Sequence, residues 1–243
     1  MGNSGAGISE ARFAGIGRAS QAAGGGRLAD PAIGDIRFSA LLGSKAWTAL
    51  PTTVRARFGK RVAAGAVAAY AGTVTRSQRT FGGWCLAQAA RMIGAPLPLH
   101  DHLGAPALVT VSEDPTTGGQ FWTRMYGRAR GFPQVIISRK QFAGPTGLEE
   151  HLGLGFGIAL TVSADARALH FNSDHYFLAV SERRWRLPRW LSPGRLTISH
   201  IDHGDGRFAF VLELRHPLVG ELISQTVEFG DAPSSTAKVF DHV

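Results

Sequence analysis

Histidine and aspartate crowd together three times in the chain: HDH at His100–His102, HFNSDH at His170–His175 and HIDHGD at His200–Asp205. On a strand, residues i and i+2 share a face, so His100 with His102, or His200 with Asp202, could turn toward one metal ion. A catalytic zinc needs three protein ligands around an open position, and here the third must come from another strand. The same residues also suit turns, with His203 and Asp205 in a hairpin and Asp101 bending a loop after Pro98. We therefore expect no metal and no cofactor, and keep a metal-dependent or His/Asp enzyme as the rival reading. Nucleophilic catalysis has less behind it. There is no G-x-S-x-G elbow, and Cys85, the single cysteine, lies in the helical stretch GGWCLAQAARMI, where a small buried residue is expected. HLGLGFG at His151–Gly157 lacks the strand-before, helix-after setting of a phosphate-binding loop. No residue is assigned a catalytic role.

The stretch QFWTRMY offers a binding row instead. On a strand, Trp122, Arg124 and Tyr126 share one face, and an arginine between aromatics can stack while its fork meets a carboxylate or phosphate. Glu150 is the natural internal partner of Arg124. Two roles are open: an inter-strand Arg–Glu pair that fixes register, or the lining of a ligand site at the mouth of a concave sheet. Trp122, Arg124, Tyr126, Glu150 and His175 are the candidate ligand-binding residues. A second stretch, SERRWRLPRWLSPG at Ser181–Gly194, reads as a corner between strands. Leu187, Trp190 and Leu191 would pack over a barrel end, Pro188 and Pro193 would stiffen it, and Arg183, Arg184, Arg186 and Arg189 would reach outward. Tryptophan beside arginine also suits an anionic headgroup layer, which keeps a membrane surface as the alternative partner for those four arginines.

The 243 residues carry 26 basic against 18 acidic side chains, a formal net charge of +8. The arginines are scattered rather than striped with stacking aromatics, which argues against nucleic acid. No stretch reaches the roughly 18 apolar residues of a membrane span. No charged segment precedes an apolar run as in a secretory signal, and Gly2 is followed by Ala6 where a myristoylation signal wants Ser or Thr. With one cysteine there is no disulfide framework. A soluble, cytoplasmic protein is the expectation.

Positioning these residues falls to a mostly β, α+β chain. Residues 1–34 are rich in Gly, Ala and Ser and are expected to be disordered; residues 231–243 are expected to form a flexible tail. Residues 35–230 should form a single folded domain. It opens with two short helices, since Phe38, Leu41, Leu42, Trp47, Leu50, Val54 and Phe58 recur at helical spacing and are punctuated by Gly43 and Pro51. A strand follows within residues 61–76, and then a helix from Phe81 to Ile93, stopped by Gly94 and Pro96. After Pro98 the period becomes two. About eight or nine strands with short connections and no crossover helices must run antiparallel, giving a curved sheet or barrel-like meander with the early helices packed against it. Phe156, Ile158, Leu160 and Val162 share one dry face, as do Phe208, Phe210, Leu212 and Leu214. Sheets of this kind curl to hide their edges and can enclose a small ligand.

The accumulated pattern resembles a bacterial family of unknown function whose members occur alone or fused behind a saccharopine-dehydrogenase-like oxidoreductase. The matching pieces run in order through residues 37–229: LLG at Leu41–Gly43, Trp47, Leu50-Pro51, Val54-Arg55, FWTRMY, EHLG at Glu150–Gly153, LPRWLSP at Leu187–Pro193 and DGRFAFVLELRHPLVGEL at Asp205–Leu222. The chain departs from that pattern near Phe58, where a His is usual, and at Ser224–Val227, where a tyrosine and a glycine are usual. The resemblance implies no established activity and points to an oxidoreductase as partner. Together these observations favour a non-catalytic domain that holds a small apolar or amphipathic ligand in a curved sheet. A His/Asp or metal-dependent enzyme, and a peripheral membrane or protein-interaction module, are the alternatives.

Overall fold

The computed structural model describes residues 34–62, 65–181 and 183–230. The N-terminal segment before Gly34 and the tail 231–243 lie outside the described residues. Three short helices come first: α1 (Arg37–Leu42), α2 (Ser44–Ala49) and α3 (Thr52–Phe58). Gly43, at φ 75°, ends α1 and starts α2, and Pro51 sits immediately before α3. The stretch expected as two helices thus breaks into three, because the left-handed turn at Gly43 interrupts the hydrogen-bond ladder. β1 (Ala68–Arg79) follows, then α4 (Phe81–Ala89), which tightens into a 3-10 turn at Ala90–Ile93. Thr80 caps α4 by accepting a hydrogen bond from the Gly83 amide at 3.2 Å, and Gly94 closes the turn at φ 99°.

The remaining strands are β2 (Pro106–Glu113), β3 (Gln120–Tyr126), β4 (Gln134–Gln141), β5 (Glu149–His151), β6 (Phe156–Ala164), β7 (Ala168–Val180), β8 (Arg183–Arg186), β9 (Arg195–Gly204), β10 (Arg207–His216) and β11 (Gly220–Gly230). All pairings are antiparallel. β1 joins β2 on one side and β11 on the other, and β6 also pairs with β7, so ten strands close into a barrel with β8 as an extra strand. The expected fold class is therefore correct, but the strand count is higher. β5 and β8 span only a few residues each, too short for a period-two signal to stand out from loop.

β7 changes partner along its length. Its first part, Ala168–Asn172, pairs with β9, and its last part, Phe177–Val180, pairs with β8. Between β8 and β9 the chain leaves the wall at Leu187, makes a 3-10 turn at Arg189–Leu191, and returns at Arg195. The wall is thus interrupted beside Ser173–Tyr176. Leu187 and Leu196 stay tied across this gap by hydrogen bonds to the Tyr176 carbonyl and the Ser173 hydroxyl.

Alternation turns one set of side chains inward. Gln120, Trp122 and Tyr126 are buried on β3, and Gln134, Ile136, Ser138 and Lys140 on β4, while Val135 and Ile137 face out. One barrel end is plugged by the first helices. Phe38 meets Phe58, Phe142 and Phe171 edge-on at 5.2, 5.0 and 6.0 Å, and Val54 and Leu50 fill in beside them. The other end lies under α4. Gly83 allows that approach, because a Cβ there would collide with the Leu222 carbonyl on β11. Cys85, expected to be buried, is exposed: α4 lies over the barrel end and turns Cys85 to its outer side. Among the described residues no helix is long and apolar enough to cross a membrane.

Candidate functional site

Beneath α4 the barrel is not filled. A cavity of about 340 Å³ lies between Leu86, Ala90 and Ile93 of the lid, Leu152, Phe156 and Ile158 around the β5–β6 connection, and Leu196, Ile198, Leu212 and Leu214 of β9 and β10. Leu187, Leu191 and Pro193 complete it from the excursion between β8 and β9. Its volume falls in the range of small-molecule sites, and its walls are apolar with a few convergent polar groups, as such sites usually are. The polar groups are Arg124, Glu150 and Tyr176.

Strand register brings these together. Arg124 on β3 lies opposite Ile136 on β4, and Lys140 on β4 lies opposite Glu150 on β5. Three neighbouring strands therefore present Arg124, Ser138, Lys140 and Glu150 to one interior point. Arg124 Nη2 donates to Glu150 Oε1 at 2.9 Å and to the Ser138 hydroxyl at 3.3 Å. The Ser138 hydroxyl donates to the same carboxylate oxygen at 2.6 Å, and Lys140 Nζ donates to Oε2 at 2.8 Å. Lys140 also lies 5.1 Å from the Trp122 ring centroid and 5.3 Å from that of Phe171. Lys140 and Glu150 are each 2% exposed, whereas the Arg124 side chain keeps 18% accessibility and forms part of the cavity lining.

Burial alone would raise the Glu150 carboxyl. The charges of Lys140 and Arg124, with hydrogen bonds from Lys140 and Ser138, outweigh it and hold the group well below the usual carboxylate range. Burial lowers the Lys140 ammonium against the pull of Glu150, and the Arg124 charge adds to that lowering. Burial likewise raises the phenols of Tyr126 and Tyr176, which stay neutral. The site is thus an apolar chamber with ionised groups at its inner end.

Arg124 and Glu150 meet as their strand positions predict. Trp122 and Tyr126 share the Arg124 face but lie deeper: Trp122 packs on Phe210 at 5.9 Å, and Tyr126 stacks on His102 at 5.0 Å. His175 does not join them. A bulge opposite Ala159/Leu160 shifts β7 by one residue, so that Tyr176 points into the cavity, while the His175 ring pairs with Asp174 at 2.6 Å. The other histidine clusters are separated too. His102 hydrogen-bonds Gln134 at 3.0 Å, His200 stacks on Phe208 and meets Phe210 edge-on, and Asp202 faces Arg57 at 3.6 Å. Among the described residues no group of three His, Cys, Asp or Glu side chains could hold a metal.

The arginine-rich corner holds in part. Leu187, Leu191 and Pro193 cover the cavity, but Trp190 is 81% exposed rather than packed, and Arg183–Arg186 form β8. Arg183, Arg186 and Arg189 reach solvent. Arg184 is exposed as well, and it also pairs with the buried Glu149 and lies over the Phe177 ring. Lys140, Ser138 and Tyr176 were not among the candidates read from the sequence. Lys140 could have been, since it shares the inward parity of Ile136 in PQVIISRK, and a charge on an inward position is a signal in itself.

Neither a curated protein nor a solved structure matches the chain. A family model, Domain of unknown function (DUF4166), matches residues 50–229, a span that runs from before β1 to the last residues of β11 and holds α4 and every polar residue of the chamber, and the chain belongs to that family.

Proposed function

We propose that the barrel binds a small apolar or amphipathic molecule and does no chemistry on it. The observation that carries this reading is the cavity beneath α4, about 340 Å³ with apolar walls. A void of that size forfeits dispersion contacts along its whole lining, a cost that a guest removes. The interrupted wall at Leu187–Gly194 is the natural entrance, because it is held by fewer ladder bonds than the strands around it. The oxidoreductase implied by the family resemblance is the partner to seek by co-purification. Native mass spectrometry of the purified chain, followed by organic extraction, tests the reading. A co-purifying small molecule or stoichiometric uptake of an added one is expected; a chain that never carries or accepts a guest would contradict it.

A second reading concerns where the guest comes from. Phe81 and Trp84 stack at 6.0 Å on the outer side of α4, and Met92, Trp190 and Leu191 are exposed on the elements that line the cavity. Arg91 adjoins Met92 in the chain, and Arg189 adjoins Trp190. Aromatic residues with arginines suit an anionic bilayer surface. Flotation with anionic vesicles at low salt should carry the protein upward, and its absence there would remove this reading.

A further inference from the structure

The chamber's inner end has a charge imbalance. Arg124 and Lys140 share one carboxylate, that of Glu150, and Ser138 and Tyr176 bring no charge. Among the residues lining the cavity, Arg124 and Glu150 are the ionisable pair, together with the neutral Tyr176. Lys140 is committed: its ammonium faces Glu150 Oε2 and the rings of Trp122 and Phe171. Arg124 is not. Both of its hydrogen bonds to the described residues are made by Nη2, and its side chain keeps 18% accessibility and lines the cavity. A guanidinium has five N–H donors in a fork that matches a carboxylate. Burial works against the Lys140 ammonium and its bond to Glu150 works for it; while that ammonium is held, two cations share one anion, and the uncompensated charge is costly unless something pairs with it.

Building on the binding reading above, we propose that the guest is a medium-chain monoanion, a carboxylate whose head meets Arg124 and whose tail fills the apolar chamber. One negative charge balances the set; a neutral head leaves the imbalance, and a cationic head worsens it. Size limits the tail. At about 30 Å³ for each water-sized unit, the chamber holds at least about eleven heavy atoms, the scale of a ten-carbon acid. Tyr176 has its phenol on the same lining, close enough to Glu150 to feel its charge, and can donate to the head group as a second contact.

The test is calorimetric titration of the full chain at pH 8 with decanoate, decanol and decylamine, which share a tail and differ in head charge. Decanoate is expected to bind at least tenfold more tightly than decanol, with decylamine weakest. In Arg124→Met the decanoate-to-decanol ratio should fall to near one while decanol binding survives. Comparable binding of decanoate and decanol to the wild type, or tighter binding of decylamine, would overturn the monoanion assignment and leave the container intact. Failure of all three to bind would remove both. The comparison among ligands on the wild-type chain decides even if Arg124→Met does not fold.

Discussion

At the scale of single residues, the Arg124–Glu150–Lys140 cluster makes an ordered set of predictions. Glu150→Gln leaves two buried cations without their shared anion and should cost about 3–5 kcal/mol in denaturant unfolding. Arg124→Met leaves the Lys140–Glu150 pair whole and should cost clearly less. If Arg124→Met proved the more damaging, the arginine would be a register clamp instead of a receptor. The acid limb follows from the same cluster. Glu150 is held below the usual carboxylate range in the folded chain, so its contribution is present above the unfolded value and is lost as pH falls through the folded one. Unfolding free energy of the wild type should therefore decline as the solution is acidified below pH ~4, and Glu150→Gln should flatten that decline. The Arg124–Glu150 contact was legible in the sequence, because i and i+2 parity in QFWTRMY fixes which side chains share a face. His175 failed for the same reason in reverse: parity assumes an unbroken strand, and a one-residue bulge in β7 exchanges its place with Tyr176.

At the scale of elements, the lid is the sensitive part. A glycine-to-alanine change inside a helix ordinarily stabilises by about 0.5–1 kcal/mol. Gly83→Ala should do the opposite, costing about 1–3 kcal/mol, because its methyl would meet the Leu222 backbone and force α4 off β11. Thermal unfolding checks the sign, and faster amide exchange in Phe81–Ala89 than in the wild type checks the location. A stabilised Gly83→Ala would show that α4 does not press on the barrel. The stop signals after α4, Gly94 and Pro96, were readable in advance. The wall excursion was not. LPRWLSP shows a stiff turn by composition, yet nothing local says that β8 and β9 are halves of one interrupted wall, because that depends on what β7 pairs with at each end.

At the scale of the whole molecule, closure decides between an open saddle and a container. Alternating strands after Pro98 announced an antiparallel sheet but left its ends free. The β1–β11 and β6–β7 pairings join them, and these link residues more than a hundred positions apart in one case and adjacent hairpin arms in the other. Helices then divide the two mouths unequally, with aromatic packing filling one and α4 roofing the other. This asymmetry leaves the void on the α4 side and places the ionised cluster between void and plug.

The measurement closest to that claim is binding of a neutral apolar fluorophore to the wild type and to a chain whose chamber is filled by Leu86→Trp with Leu212→Phe. The wild type should bind it one-to-one, and the filled variant should melt no lower yet fail to bind. Equal binding by both chains would mean that the guest sits on the outer surface and that the chamber is not its site.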